Sequence, residues 1–487
     1  MDNFPFIPSD KFKFKVDSSK KKQFDTVKKL LHRDDIEYVI NATDNDREGE
    51  LISFLIFLLA KNKKPVKRIL VNEWTPEDIT RGLNNLKDNS DMLNLQAAGY
   101  TRLLTDWLIG INFTSIATLK YGNGKLLNIG RVILPTVKLV YDRDMEIANF
   151  IPKSYFEIEG NFKSPNGNYK GKYIKGKESK FDTIEDANKI IDSITSNKGI
   201  IIDKKVTTSK EYAPKLFSLT SLQGFITSKY SNFTSDKVLS VCQSLYEGKG
   251  KGGYITYPRT DSIYLEESLV TKVSQTLDKI KGKQLRKFQK EVLSYENKIS
   301  FTKSKRIFDS SKVDSHSAII PTYIIPSNLT SDEQIVYNAI KDRFIANFMP
   351  PAEYENTEIK TEVDKHIFLT KGKVLKVKGY LEVYNKEEKD DLLPIVNELE
   401  TVDVLDIKAL TKQTTPPKPY TEDTLLKAMK NCGKNVSEED TAVLSGYSIG
   451  TSATRADVLK KISQVGYVKK KGKSYSITDL GKNLVEI

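Results

Sequence analysis

Residues 38–59 constrain the fold of this chain more than any other stretch. Tyr38-Val-Ile-Asn-Ala-Thr43 is a short apolar run that suits a buried parallel strand. It runs directly into Asp44-Asn-Asp-Arg-Glu-Gly-Glu50, and an apolar helix follows from Leu51 to Leu59. Strand, acidic turn and helix in this order belong to α/β layers, where ligands sit at the carboxyl ends of strands. Asp44, Asp46 and Glu48 alternate just past the strand, so several oxygens can aim at one point. Hard oxygen donors of this kind suit Mg²⁺, which takes few carboxylates and keeps its waters. The same acids could instead do no more than complement the dipole of the helix. Residues 66–71 read as the next strand, and Thr75 as the N-cap of a further helix.

The second stretch is Tyr254-Ile-Thr-Tyr-Pro-Arg-Thr-Asp-Ser262. Residues 254–256 read as a short strand entering a turn. Pro258 fixes its own φ and removes a donor, which leaves Tyr257 where the strand stops. A tyrosine at such a corner can present its phenol to a substrate. Arg259, two residues on, can fork onto a phosphate from the same side. A phenol with a pKa of about 10 attacks poorly without a cation or base beside it. Alone, this string reads equally as a buried tyrosine beside a solvated arginine.

The rest of the chain alternates in character. A helical run covers residues 23–31, and Phe12, Phe14 and Val16 alternate as a short strand before it. Residues 90–150 read as mostly helical. Residues 155–206 and 353–410 alternate like antiparallel sheet, with a turn at Asn166-Gly167. Residues 213–320 return to helix, residues 414–419 form a linker, and the tail reads as a helix plus hairpin, like a winged helix. Gly171-Lys-Tyr-Ile-Lys-Gly-Lys-Glu178 imitates a P-loop, but Glu178 stands where Ser or Thr would bind Mg²⁺ and no apolar strand precedes it. ATP binding is therefore not expected. His316, one of 3 histidines, is by itself more often a structural hydrogen-bonder than a catalyst.

Lys and Arg number 77 against 64 acids, for a net charge of +13, which favours a polyanionic partner such as nucleic acid. The Lys249/Lys251 cluster within this excess reads as a solvated loop. Two cysteines make neither a zinc ribbon nor a disulfide framework, so a reducing cytoplasm is expected. No apolar run approaches membrane-spanning length, so no membrane partner is expected.

Taken in order, eight segments resemble the type IA DNA topoisomerases, bacterial topoisomerase III most of all. They are Ala42-Thr-Asp-Asn-Asp-Arg-Glu-Gly-Glu50, Asp106-Trp-Leu-Ile-Gly110, Gly130-Arg-Val, Leu216-Phe-Ser-Leu-Thr-Ser-Leu-Gln223, Gln243-Ser-Leu-Tyr-Glu247, residues 254–262, His316-Ser-Ala-Ile-Ile-Pro-Thr322 and Gly450-Thr-Ser-Ala-Thr-Arg-Ala456. The resemblance implies a multidomain α/β plus α+β chain folded as a toroid, with a β-rich arch, winged-helix-like modules and a truncated Toprim domain. Its expected divisions are a partial Toprim (metal) domain over 1–88, a helical DNA-binding domain over 89–154 and 412–487, the arch over 155–212 and 344–411, and the nucleophile domain over 213–343.

Tyr257 is then the expected nucleophile, forming a 5′-phosphotyrosine with single-stranded DNA, and Arg259 stabilises the scissile phosphate. Asp44 and Asp46 bind Mg²⁺ with Glu48 nearby. Trp107, Arg131, His316 and Arg455 lie along the DNA. No ATP is needed, because the covalent bond stores the phosphodiester energy. Three departures accompany the match. The family's first apolar strand, with its glutamate and following lysine, has no counterpart before Asp44, and a separate N-terminal Toprim fragment would supply it. Ile133 and Ser115 stand where glutamine and arginine are usual. The other expectation is a non-catalytic remnant that only binds single-stranded DNA.

Overall fold

A computed structural model describes all residues except 1–3, 9–11, 72–75, 177, 249–251, 284–304, 314–315, 385–389 and 433–447. The expected cap Thr75 and the Lys249/Lys251 cluster lie outside the described residues.

The chain opens with helix α1 (Lys21–Leu31), strand β1 (Val39–Asn41), α2 (Arg47–Ala60), β2 (Val66–Arg68), α3 (Pro76–Asn84) and β3 (Lys87–Asp88). β1 and β2 pair in parallel through the α2 crossover, and β3 adds antiparallel to β2. The strand–turn–helix reading of residues 38–59 therefore holds. The expected burial of the strand does not: Tyr38 and Ile40 are exposed. β1 is an edge strand that pairs, among the described residues, with β2 alone. The expected strand at Phe12 to Val16 is also absent, and these residues run as coil. Their aromatic rings pack on a helix instead, Phe12 against Trp107 and Phe14 against Tyr100. Side-chain packing wins here because no neighbouring strand offers a ladder.

Two long helices follow, α4 (Leu93–Tyr121) and α5 (Ile133–Ala148). They share one apolar core with α11 (Glu422–Asn431), α12 (Ser452–Val465), the hairpin β10–β11 (Val468–Lys471, Ser474–Ile477) and α13 (Asp479–Glu486). Ala117, Leu127, Val137, Val140, Leu425 and Ile462 are all buried in it. Segments almost 300 positions apart thus form one unit, because neither has a complete apolar face alone.

Six antiparallel strands close into a barrel: β4 (Ser154–Ser164), β5 (Gly167–Ile174), β6 (Lys198–Glu211), β7 (Ala352–Val363), β8 (His366–Val377) and β9 (Thr401–Gln413), in the order β4-β5-β8-β7-β6-β9. The false P-loop lies mostly in β5, which pairs antiparallel with both neighbours. That is no strand-to-helix phosphate cradle. Closure removes every sheet edge from the barrel. Ile158, Phe162, Ile201, Ile359 and Phe368 fill it, each at 0 % exposure. Phe368→Ala is expected to destabilise the barrel by about 3–5 kcal/mol through lost transfer energy plus a cavity, measured as a lower urea midpoint.

The segment between the barrel's two halves carries α7 (Leu219–Lys229), α8 (Ser235–Glu247), α9 (Val270–Lys283) and α10 (Ser331–Asn347). One of its two apolar clusters holds Tyr254, Ile255 and Tyr257 against α7, α8 and α10. No helix among the described residues is long and apolar enough to cross a membrane.

Candidate active site

The Tyr257 loop is fixed by its backbone before any side chain matters. Tyr254 N donates to Leu245 O at the end of α8 (2.9 Å), and Thr322 N donates to Tyr254 O (3.0 Å). Thr256 N donates to Ile320 O (3.0 Å), and its hydroxyl accepts from Ile320 N (3.0 Å). The expected strand at 254–256 shrinks to a single bridge, Ile255 to Pro321. Pro258 stops the ladder, and Thr260 takes up the turn. Thr260 N donates to Pro258 O (2.9 Å), its hydroxyl donates to His316 O (2.8 Å), and its carbonyl accepts from Leu219 N at the start of α7 (2.9 Å).

Tyr257 is 4 % exposed. The His316 ring lies 4.3 Å from its ring and Tyr246 stands edge-on at 5.4 Å. Its hydroxyl donates to Asp44 Oδ2 at 2.6 Å, joining positions 213 residues apart. Burial raises the phenol pKa far above its ordinary value, and the hydrogen bond and charge of Asp44 and the charge of Asp46 add to this, while Arg259 opposes it. The phenol is therefore protonated in this state and donates a hydrogen bond to a carboxylate. Arg259 is exposed, free to meet an incoming phosphate.

Asp46 caps α2, its Oδ1 accepting from Gly49 N (2.8 Å). Gly49 lies against the turn: a Cβ there would stand 2.2 Å from Asp44 O and 2.9 Å from Asp44 N. Gly49→Ala is expected to push the turn outward, cost about 1–3 kcal/mol and lower the thermal midpoint in a melt.

Four expected site residues have partners within the chain. Glu48 pairs with Arg102 of α4, and Arg102 reaches Asp106, which holds Arg131 by a bidentate pair at 2.6 and 2.7 Å. Among the described residues no group of three acids, histidines or cysteines is arranged to hold a metal ion. Of the three expected carboxylates, Asp44 meets Tyr257, Asp46 caps α2, and Glu48 pairs with Arg102. Arg455 is 1 % exposed and faces inward. It donates to Asp261 Oδ1 (3.0 Å), Thr220 Oγ1 (3.1 Å), Ser448 Oγ (3.1 Å) and the carbonyls of Ile449 (3.2 Å) and Gly450 (3.0 Å). It ties α12 to the loop after Tyr257 and presents no donor to DNA here. Trp107 is half-covered by Phe6 and Phe12, at 5.6 and 5.4 Å.

Sequence reasoning missed Arg68. It lies in β2, is wholly buried, and its Nε stands 2.5 Å from Glu50 Oε1 as an ion pair rather than an aligned hydrogen bond. Burial raises the Glu50 carboxyl above its usual range, against the opposing charge of Arg68. An arginine inside the strand run Val66-Lys-Arg-Ile-Leu-Val71 was the available signal. Lys272 of α9 pairs with Asp78 of α3, a second link, beside Tyr257–Asp44, between the tyrosine segment and the α/β unit.

The site thus joins the acidic turn of an α/β unit to a buried tyrosine, in a chain that also carries a closed barrel. The DNA topoisomerase family profile matches residues 90–487, and the Toprim domain profile matches residues 6–74. The chain is 33 % identical over 500 residues to DNA topoisomerase 3 of Bacillus licheniformis and 31 % identical over 501 to that of Bacillus subtilis, covering 100 % of this chain and 67 % of each relative. It resembles full-length topoisomerase I of Thermotoga maritima with a TM-score of 0.71 at 26 % identity, covering 96 % of this chain and 72 % of that one. The chain belongs to the DNA topoisomerase family, type IA, and is topoisomerase 3-like. These matches do not favour the reading as a non-catalytic remnant.

Proposed function

We propose that this chain cuts one DNA strand through Tyr257, passes another through the break and reseals it. The observation that carries this reading is the 2.6 Å hydrogen bond from Tyr257 to Asp44. Tyr257 Oη attacks the scissile phosphorus as its proton moves to Asp44. An Oη–P bond forms, the P–O3′ bond breaks, and the 3′-oxygen leaves as a hydroxyl by taking a proton from water, while Asp44 holds the proton from the phenol. The product is a 5′-phosphotyrosine. Arg259 neutralises the charge that grows on the phosphate oxygens. Reversal regenerates the phosphodiester, so ATP is not required.

Asp44 and Asp46 fit a hard divalent cation. Asp44 keeps Oδ1 and Asp46 keeps Oδ2 clear of the bonds described above, and Mg²⁺ needs no more than one or two carboxylates. Bound there, Mg²⁺ would supply positive charge for holding DNA phosphates during rejoining. Arg131, His316 and Trp107 are our candidates for the DNA path, and Arg455 is a support behind it.

The proposed division is 1–88, 89–154 with 412–487, 155–212 with 344–411, and 213–343; the second and third have apolar cores of their own, and the core of the fourth runs on past 343 through the end of α10. The partner is single-stranded DNA, and the setting a bacterial cytoplasm. The exposed edge of β1 is where a separate Toprim fragment would add a strand.

The test is incubation with end-labelled single-stranded DNA and Mg²⁺, followed by denaturant trapping. A covalent complex whose DNA-bearing peptide contains Tyr257 supports the reading, and a complex mapped to another residue overturns it.

A further inference from the structure

Arg68 reaches more of the acidic turn than any other side chain described above. Its Nη1 donates to the carbonyls of Thr43 (2.7 Å), Asn41 (3.1 Å) and Ile69 (3.2 Å), and its Nη2 donates to the carbonyl of Asp44 (2.7 Å). Its Nε faces Glu50, in the first turn of the helix that Asp46 caps. One wholly buried cation thus spans the end of β1, the backbone of the turn and the start of α2. The carbonyls of a turn leaving a short strand have no ladder partner and need donors when buried. A planar fork with five N–H groups satisfies several at once, where an ammonium on a flexible stem offers a single point.

We propose that Arg68, held by Glu50, is the positioning residue of the acidic turn. It fixes the backbone at Thr43 and Asp44 so that the Asp44 carboxylate meets the Tyr257 hydroxyl and stays aligned with Asp46 for a divalent cation. It touches neither the phenol nor DNA. This inference rests on the reading of Tyr257 as nucleophile and of Asp44 and Asp46 as the cation site.

The experiment compares wild type, Arg68→Lys and the double variant Arg68→Met/Glu50→Gln, which removes both members of the pair together. Folding is followed by circular dichroism, Mg²⁺ binding by calorimetry without DNA, single-stranded DNA affinity in EDTA, and adduct formation against Mg²⁺ concentration. The folded double variant is expected to need about 10–100-fold more Mg²⁺ for half-saturation, as for other residues that orient metal ligands. Its adduct formation should slow by a similar factor, and its DNA affinity in EDTA should be unchanged. Arg68→Lys should fall between it and wild type. A folded double variant with wild-type Mg²⁺ affinity and adduct rate overturns the proposal. So does a parallel loss of DNA affinity in EDTA, which would mark a general structural role. If the double variant does not fold, a wild-type Mg²⁺ response in Arg68→Lys overturns it. Absence of a Tyr257 adduct in wild type overturns the underlying reading instead, before any variant is scored.

Discussion

Tyr257→Phe is expected to abolish the covalent DNA adduct while single-stranded DNA affinity stays within about twofold. The substitution removes one oxygen and little else. The phenylalanine ring keeps the packing of Tyr246 and His316 around a site that is 4 % exposed. The loop stays in place because its backbone bonds to Leu245, Ile320 and Thr322 do not involve the side chain. What disappears is the hydroxyl proposed to form the phosphoester. A small stability change accompanies this, because Asp44 loses a donor yet remains open to water. Trapped complexes are counted on a denaturing gel beside a filter-binding measurement. An adduct persisting in the variant would reject Tyr257 as nucleophile.

Asp44→Asn is the second large effect, with adduct formation expected to slow by about 10²–10⁴-fold. The amide oxygen still accepts a hydrogen bond from Tyr257, so the phenol keeps its place. An amide is no base, however, and the proton of a phenol whose pKa is raised by burial then has no acceptor. Asp46→Asn is expected to act differently. Asp46 accepts from Gly49 N and not from Tyr257, so its loss should shift the Mg²⁺ requirement more than the rate at saturating Mg²⁺. Adduct rates across a Mg²⁺ series separate the two. Equal behaviour of both variants at saturating Mg²⁺ would remove Asp44 from the proton-transfer role.

Much of the fold is legible in local patterns. Residues 213–320 read as a return to helix, and the structure places α7, α8 and α9 within them. The hairpin at Asn166-Gly167 follows from turn chemistry, and Gly167 takes a φ of 145° there. Residues 12–16 misled because alternation in a short run needs a partner strand to become a ladder, and Trp107 and Tyr100 offered packing instead. The partner of Glu48 was not legible, because alternating acids on one turn point to different neighbours and Arg102 comes from a distant helix.

The sequence by itself determined the elements, the corner at Pro258 that holds Tyr257, and the acidic turn after β1. These depend on spacing and on backbone restrictions that act within a few residues. Only the tertiary structure decided which acid meets the tyrosine, because Asp44 and Tyr257 are 213 positions apart. It also decided that the sheet closes into a barrel, through pairing of β4 with β9, and that Arg68 and Arg455 turn inward. An arginine looks the same in a sequence whether it faces water or four carbonyl groups. Its role is set by what burial brings around it, and that is a property of the whole packed chain.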